Sequence, residues 1–344
     1  GGAGDGGGGG AVARAAGFRA PDGGTGQSEL WVRNSSVAAD HVAAGSFESA
    51  MNLLHRQVGF VRFEPLREMF MQVYEGARSS LPTLPSLPAT APGLTRNPTD
   101  AAPPGEKSLP DVCVTLSSLV DRLKLVYKCF QGGKFSDASA HVDYLLRAIP
   151  LVVVESRDNV NAVKELLGIC SEYKIAVMLE LERREINKSG GKESLPRQLE
   201  LAAYMTHCNL QPAHLILALD LAMSLAFKCQ NFIHAAWFAG RMLELPETGS
   251  SKNAERLTKA KKVLRASEAK ARNSITIDYD ERNPFRVCVG SLTPIYKGSP
   301  IVACPYTNVA YKPEFKDSVC RACGMAQVGL ETLGLVCSAV KTRR

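Results

Sequence analysis

The clearest signal along the chain is a helical period of apolar residues that folds back on itself within residues 116–149. Leu116, Leu119, Val120, Leu123, Val126 and Tyr127 recur at three- and four-residue spacing, which places them on one helical face. Gln131-Gly132-Gly133-Lys134 interrupts the pattern, and glycine tolerates the left-handed backbone that ends a helix. After Phe135 a second helix is predicted from Ser136, with Ala138, Val142, Leu145, Leu146 and Ile149 on its apolar face and Pro150 at its end. Neither stripe can be buried alone, so the pair must pack on itself and on neighbours.

The same pattern recurs on either side. A short helix over 37–44, a turn at Gly45-Ser46-Phe47 and a helix from Glu48 to Val58 form one copy. A helix over 215–229, a turn at Gln230-Asn231-Phe232 and a helix from Ile233 to Leu245 form another. In each copy an aromatic residue follows the turn and an alanine comes three positions later: Phe47/Ala50, Phe135/Ala138 and Phe232/Ala235. An aromatic wedge beside a small residue suits closely packed helical hairpins, and the unequal spacing predicts a degenerate solenoid rather than a regular array. Between the copies, the periodicity predicts a helix over 64–74 and a long helix over 158–185, whose stripe is Val160, Val163, Leu166, Leu167, Cys170, Tyr173, Val177 and Leu181. It also predicts a helix over 195–205 and a further start near Asn209, as a cap, and Pro212. Residues 253–272 form a basic helix with charges on most sides, which predicts a solvated surface helix, with an acidic partner or anionic headgroups as the alternative.

Two stretches break the helical rhythm. Residues 79–110 carry eight prolines, and Leu81, Leu84 and Leu87 each precede one at a three-residue period. That period fits polyproline II, which favours a spacer by composition and also suits an extended segment held in a partner's groove. After Asn273 the period becomes two: Ile275, Ile277 and Tyr279 alternate with polar residues, as do Phe285, Val287 and Val289. Apolar stretches over 328–340 are split by Gly334. The fold class expected is therefore mainly α, a hairpin or solenoid-like array, with a small C-terminal β-rich module, α+β overall. The division expected is 1–28 flexible linker, 29–78 helical-repeat segment, 79–110 Pro-rich loop or hairpin, 111–272 helical body and 273–344 β-rich module.

Composition changes this picture in three places. Residues 1–10 are almost all glycine, which predicts flexible linker and reads as the start of an excised C-terminal portion of a longer protein. The net charge of +7 over 344 residues does not argue for nucleic-acid binding. Of the ten cysteines, Cys113, Cys129, Cys170, Cys208 and Cys229 fall singly in helical segments, the usage of a reduced cytosolic chain.

Catalytic patterns are missing. There is no Gly-x-Ser-x-Gly and no His-Glu-x-x-His, and the position six before Lys134 is Lys128 rather than the glycine of a phosphate loop. The histidines stand singly; His207 and His214 are placed to share a helix face only if Pro212 permits it. Metal-ligand spacing occurs once, at Cys320-Arg321-Ala322-Cys323, with Cys288 and Cys304 as further candidates. A zinc ribbon needs two such pairs, and Cys304-Pro305 is at most a degenerate second one, so the pattern favours small buried thiols and no cofactor.

At the level of longer strings, residues 109–315 resemble the C-terminal domain of coatomer alpha subunits. The resemblance rests on Gly133-Lys134-Phe135, Ile149-Pro150-Leu151-Val152-Val153-Val154, Tyr204-Met205-Thr206-His207-Cys208, Ala235-Ala236-Trp237-Phe238-Ala239-Gly240-Arg241, Asn283-Pro284-Phe285, Pro294-Ile295-Tyr296-Lys297-Gly298 and Pro313-Glu314-Phe315-Lys316. Cys323 is not a residue expected from that family. The resemblance implies a non-enzymatic scaffold of the coat protein I vesicle coat, acting in retrograde Golgi-to-ER and intra-Golgi transport. It implies a cytoplasmic protein, peripheral to the Golgi membrane through the assembled coat. The implied partners are other coatomer subunits and above all the epsilon subunit, a helical-repeat protein that encircles a protruding hairpin. That hairpin is expected near residues 81–96, with Leu81, Leu84, Leu87 and Leu94 as contacts. The alternative is a zinc-stabilised protein-binding module of another trafficking scaffold. The β-propellers with which the family reads cargo tails are not in this chain.

Overall fold

The computed structural model describes residues 24–80, 91–96, 109–246 and 251–338. Among them, α1 (Gln27–Asn34), α2 (Ala38–Ala44), α3 (Phe47–Val58) and α4 (Arg67–Gly76) form a first block. The body follows as α5 (Leu116–Gln131), α6 (Phe135–Ala148), α7 (Arg157–Ser189), α8 (Leu195–Met205), α9 (Pro212–Lys228), α10 (Phe232–Leu243) and α11 (Ser251–Glu268). A small sheet closes the chain, with strands β1 (Phe285–Cys288), β2 (Thr293–Tyr296), β3 (Val302–Ala303) and β4 (Ala310–Tyr311) in the order β2-β1-β4-β3. The outer pairs are antiparallel and β1 runs parallel to β4. The architecture is mainly α with a small β-rich end, as the periodicity predicts.

All three hairpins turn by one mechanism. Each first helix ends at a residue of left-handed backbone: Gly45 (φ +82°), Gly133 (φ +70°) and Gln230 (φ +58°). The next residue, Ser46, Lys134 or Asn231, has φ of −86 to −90° and ψ of 67 to 73°. Its N–H reaches back to the carbonyl of His41, Cys129 or Ala226 at 2.8–2.9 Å. The left-handed residue's own N–H donates to Val42, Phe130 or Phe227 at 2.9–3.1 Å. These paired bonds satisfy carbonyls the ending helix would leave orphaned. The second helix then begins at the phenylalanine, and the alanine N–H closes its first turn at 3.0–3.1 Å. Ala50, Ala138 and Ala235 are wholly buried. The shared turn motif is thus a shared backbone geometry.

Gln230 is exposed and alone among the three lacks the freedom of glycine at this position. Gln230→Gly is expected to raise stability by about 0.5–1 kcal/mol, because a side chain is unfavourable in left-handed backbone. Urea unfolding with an unchanged slope would show it, and a loss of stability would contradict it.

The structure departs from the periodicity in particular places. Val120 is 40% exposed, and the buried stripe of α5 is Leu119, Leu123, Val126 and Phe130. Ile149 and Pro150 belong to a short 3₁₀ turn that extends α6. Val160, Leu167 and Leu181 are only half-buried, whereas α7 between Tyr173 and Glu180 is buried around most of its circumference, because α6 and α8 both pack on it. Asn209 caps no helix; its N–H donates to the Glu172 carboxylate at 2.9 Å, and Gln211 precedes α9, where Pro212 takes the first position. The basic helix lies on the surface with most of its residues exposed, as expected, and one of its faces is docked. Asn253, Ala260 and Ser267 recur every seventh residue as a buried line against α9 and α10. Lys259 and Arg256 reach Asp220 on α9.

Residues 275–279 form no strand, although their alternation does separate half-buried Ile275 and Ile277 and buried Tyr279 from exposed neighbours. In place of a partner strand they have the Asn231 side chain. Its amide oxygen accepts from Ser274 and Ile275 N–H at 3.0 and 2.9 Å, and its nitrogen donates to the Ile275 carbonyl at 2.8 Å. Residues 328–338 likewise form no strands. Val328 and Gly329 bond within the β-rich end, to Ser318, Asp317 and Ala303, and from 333 onward backbone bonds go to the first block and the body: Leu333 to Arg56, Gly334 to Gln57, and the Cys337 carbonyl to Val154.

Candidate partner-binding segment and thiol cluster

Leu81, Leu84 and Leu87 lie outside the described residues, but the flanks of that stretch are defined. Ser79 N–H donates to the Pro92 carbonyl at 3.0 Å, and Leu94 N–H to the Ala77 carbonyl at 2.8 Å. The backbone entering at 79 and the backbone leaving at 92 are therefore side by side. A second such junction follows, where Arg96 N–H donates to Leu109 at 3.2 Å and Asp111 N–H to Leu94 at 2.8 Å. Leu94 is half-buried within this ladder. Gly93 lies against the Trp31 ring, which leaves no room for a Cβ at that position.

An ion pair locks the ladder to the first block. The Arg96 guanidinium donates to both carboxylate oxygens of Asp40, at 2.5 and 3.0 Å, and to the Pro110 carbonyl at 2.7 Å. Asp40 is completely buried in the first turn of α2, where the Ser35 hydroxyl also donates to its carboxylate. Asp40 and Arg96 carried no pattern in the sequence; their pairing is a product of the fold.

The β-rich end packs into the helical body. The Tyr306 hydroxyl donates to the Leu146 carbonyl at 2.8 Å, and its ring meets Phe60 edge-on at 5.0 Å. Phe60 bridges Ala326, and the N–H groups of Val61 and Arg62 both reach the Met325 carbonyl. Of the four candidate metal-ligating cysteines, Cys304, Cys320 and Cys323 converge, with Sγ atoms within 4.8 Å of one another. Cys288 is not with them, because β1 pairs it with Ala310 and its sulfur accepts the Lys312 N–H at 3.3 Å. The Cys304 and Cys323 thiols and the Tyr311 hydroxyl, 3.3 Å from Cys320 Sγ, hold Cys320 far below the usual thiol range, and Cys304 is correspondingly pushed up. Tyr311 and Thr307 are neighbours that the sequence reading missed. The available signal was that Thr307 follows Cys304 at the spacing by which Cys323 follows Cys320.

The histidines are not brought together. His207 bonds the Tyr279 hydroxyl at 2.9 Å, whereas His214 is buried beneath α7 and bonds the Tyr173 hydroxyl at 2.6 Å. Burial lowers His214 to about 4, which leaves its ring neutral with a structural partner. All ten cysteines are free thiols. No helix among the described residues is long and apolar enough to cross a membrane.

A family model for the C-terminus of the coatomer (COPI) alpha subunit matches residues 7–343. The chain is 42% identical over 322 residues to a coatomer subunit alpha of Dictyostelium discoideum, covering 92% of this chain and 25% of that protein. It is 40% identical over 333 residues to coatomer subunit alpha-2 of Arabidopsis thaliana, covering 97% and 27%. Against the coatomer subunit alpha of Saccharomyces cerevisiae the identity is 33% over 310 residues, covering 90% and 25%. The chain spans about a quarter of the length of these relatives.

Proposed function

This chain belongs to the family formed by the C-terminal regions of coatomer (COPI) alpha subunits, and from that premise we propose that it is a non-enzymatic scaffold module of the coat protein I vesicle coat. It acts with other coatomer subunits at the cytosolic face of Golgi membranes, in retrograde Golgi-to-ER and intra-Golgi transport. Its direct partner is the coatomer epsilon subunit, which grips the Pro-rich segment through Leu81, Leu84, Leu87 and the adjoining Leu94.

The observation that carries this reading is the paired footing of the segment. Residues 79 and 92 are hydrogen-bonded to each other, and the Arg96–Asp40 ion pair ties the same ladder to a buried helix. A partner pulling on the intervening residues pulls against an anchored base. Fixing the ends also reduces the entropy lost when the segment is ordered on binding.

The test mixes the purified chain with purified coatomer epsilon subunit in size-exclusion chromatography with light scattering. A one-to-one complex is expected. Replacing residues 81–90 by a Gly/Ser stretch of equal length leaves Gly93, Leu94 and Arg96 in place and is expected to weaken the complex about 100-fold or more. Undiminished binding by that variant would remove the segment from the interface. Two separate peaks from two folded proteins would overturn the epsilon partner itself.

A further inference from the structure

Cys304, Cys320 and Cys323 are buried, at 1%, 0% and 9% exposure. Their convergence is built by two matching turns. The Cys304 carbonyl accepts the Asn308 N–H at 2.9 Å, and the Cys320 carbonyl accepts the Gly324 N–H at 2.8 Å. Both turns end in left-handed backbone, Asn308 at φ +55° and Gly324 at φ +70°. Amide hydrogens point at the sulfurs as well. Thr307 N–H lies 3.5 Å from Cys304 Sγ, and Ala326 N–H lies 3.4 Å from Cys323 Sγ. Amide-to-sulfur bonds favour thiolate over thiol, and such outer contacts orient metal-ligating cysteines.

The two turns thus form a related pair, Cys304-x-x-Thr307-Asn308 and Cys320-x-x-Cys323-Gly324. Three of the four inward positions are cysteine, and the fourth is Thr307, whose hydroxyl is 3.9 Å from Cys320 Sγ. Sulfurs sharing a tetrahedral zinc ion at about 2.3 Å stand roughly 3.8 Å apart, which the cluster's 4.8 Å limit accommodates.

We propose that this cluster is a structural zinc site, with the thiolates of Cys304, Cys320 and Cys323 as three ligands and the fourth position beside the Thr307 hydroxyl. Thiolate-rich tetrahedral sites select zinc over hard cations such as magnesium and calcium. The ion clips together the two arms by which the β-rich end docks. One carries Tyr306, which bonds Leu146, and the other leads to Ala326, which bridges Phe60.

The test uses the whole chain, purified under reducing conditions without chelators. Mass-spectrometric metal analysis is expected to find about one zinc per chain. Cys320→Ser and Cys323→Ser are expected to fall below about one fifth of that content, whereas Cys288→Ser retains it. Thr307→Cys supplies a fourth thiolate and is expected to tighten zinc about tenfold or more in chelator competition. A serine variant that loses metal because it unfolds is separated by exchanging cobalt(II) into the unmodified chain. Thiolate-to-cobalt charge transfer with tetrahedral d–d bands is then expected. A folded chain with reduced thiols, no zinc and no cobalt bands would overturn the site, as would full zinc in Cys320→Ser. Unchanged affinity in Thr307→Cys would overturn the assignment of the fourth position.

Discussion

Replacing Asp40 with alanine is expected to lower folding stability by about 3–5 kcal/mol, one of the two largest single-residue effects anticipated here. The reason lies in what the substitution leaves behind. The Arg96 side chain is 13% exposed, and its guanidinium faces a carboxylate with no exposure at all. Alanine at 40 leaves a nearly buried guanidinium whose partner among the described residues is the Pro110 carbonyl. Arg96→Ala strands the carboxylate instead, with the Ser35 hydroxyl as its remaining side-chain donor. The double variant removes both charges and is expected to cost clearly less than the sum, and apolar replacement of both residues, Asp40→Leu with Arg96→Met, is expected to come close to wild type. Denaturant unfolding of the four-member cycle measures this. Strictly additive losses would mean that the pair is not coupled. Because Arg96 fastens the flank of the Pro-rich segment to α2, its loss is also expected to weaken partner binding, whereas Gln230→Gly, in the turn between α9 and α10, leaves binding alone.

Acidification is the second large effect. The Tyr173 hydroxyl accepts the Gln211 N–H at 3.3 Å and so turns its own proton toward His214 Nδ1, 2.6 Å away. That geometry needs a neutral ring. Tyr127 and Phe130 pack against the ring, and burial lowers its pKa from 6.5 to about 4. The unfolded chain therefore binds a proton near pH 6.5 that the folded chain refuses until about pH 4. His214 contributes its full stability above pH 6.5, and the contribution declines as pH falls through the window down to 4. The loss near pH 5 is about 2 kcal/mol. Buried His234, lowered by the same cause, acts in the same direction. His214→Phe removes the titration and is expected to flatten the slope of stability against pH between 6.5 and 4, even where it lowers stability overall. An unaltered slope would show that His214 is not the group responsible.

What was legible in the sequence follows from locality. The hairpins were readable because the apolar period, the turn and the small residue after it all lie within about one helical turn of each other. Val120 was misplaced because a stripe leaves its edge residues undetermined, and the neighbouring helices settle which edge is covered. The buried middle of α7 and the docked face of α11 share that cause. Neither Ala260 nor Ser267 is apolar enough to mark a buried line, and only α9 and α10 reveal it. Residues 275–279 had the alternation of a strand and 328–338 its apolar stretches, but a strand also needs a partner edge, and here a side-chain amide and distant carbonyls take that part. The cysteine pair at 320 and 323 was visible by spacing. The removal of Cys288 from the set was not, because the sheet register decides it.

The final described residues return to the chain's first helices, and this has a consequence for synthesis. Leu333 and Gly334 bond the end of α3, and Phe60 is covered by Tyr306 and Ala326. Tyr306 closes on Leu146 across 160 residues of sequence. A ribosome makes α3 well before it makes the residues that cover it. Until the β-rich end has emerged, Phe60 and the end of α3 lack the cover of Tyr306 and Ala326 and the backbone bonds of Leu333 and Gly334. Long-range closure of this kind is slow and leaves nascent apolar surface open to wrong contacts. The first block is thus translated well before the segment that completes it, and a ribosome stalled before Tyr306 presents it without that cover.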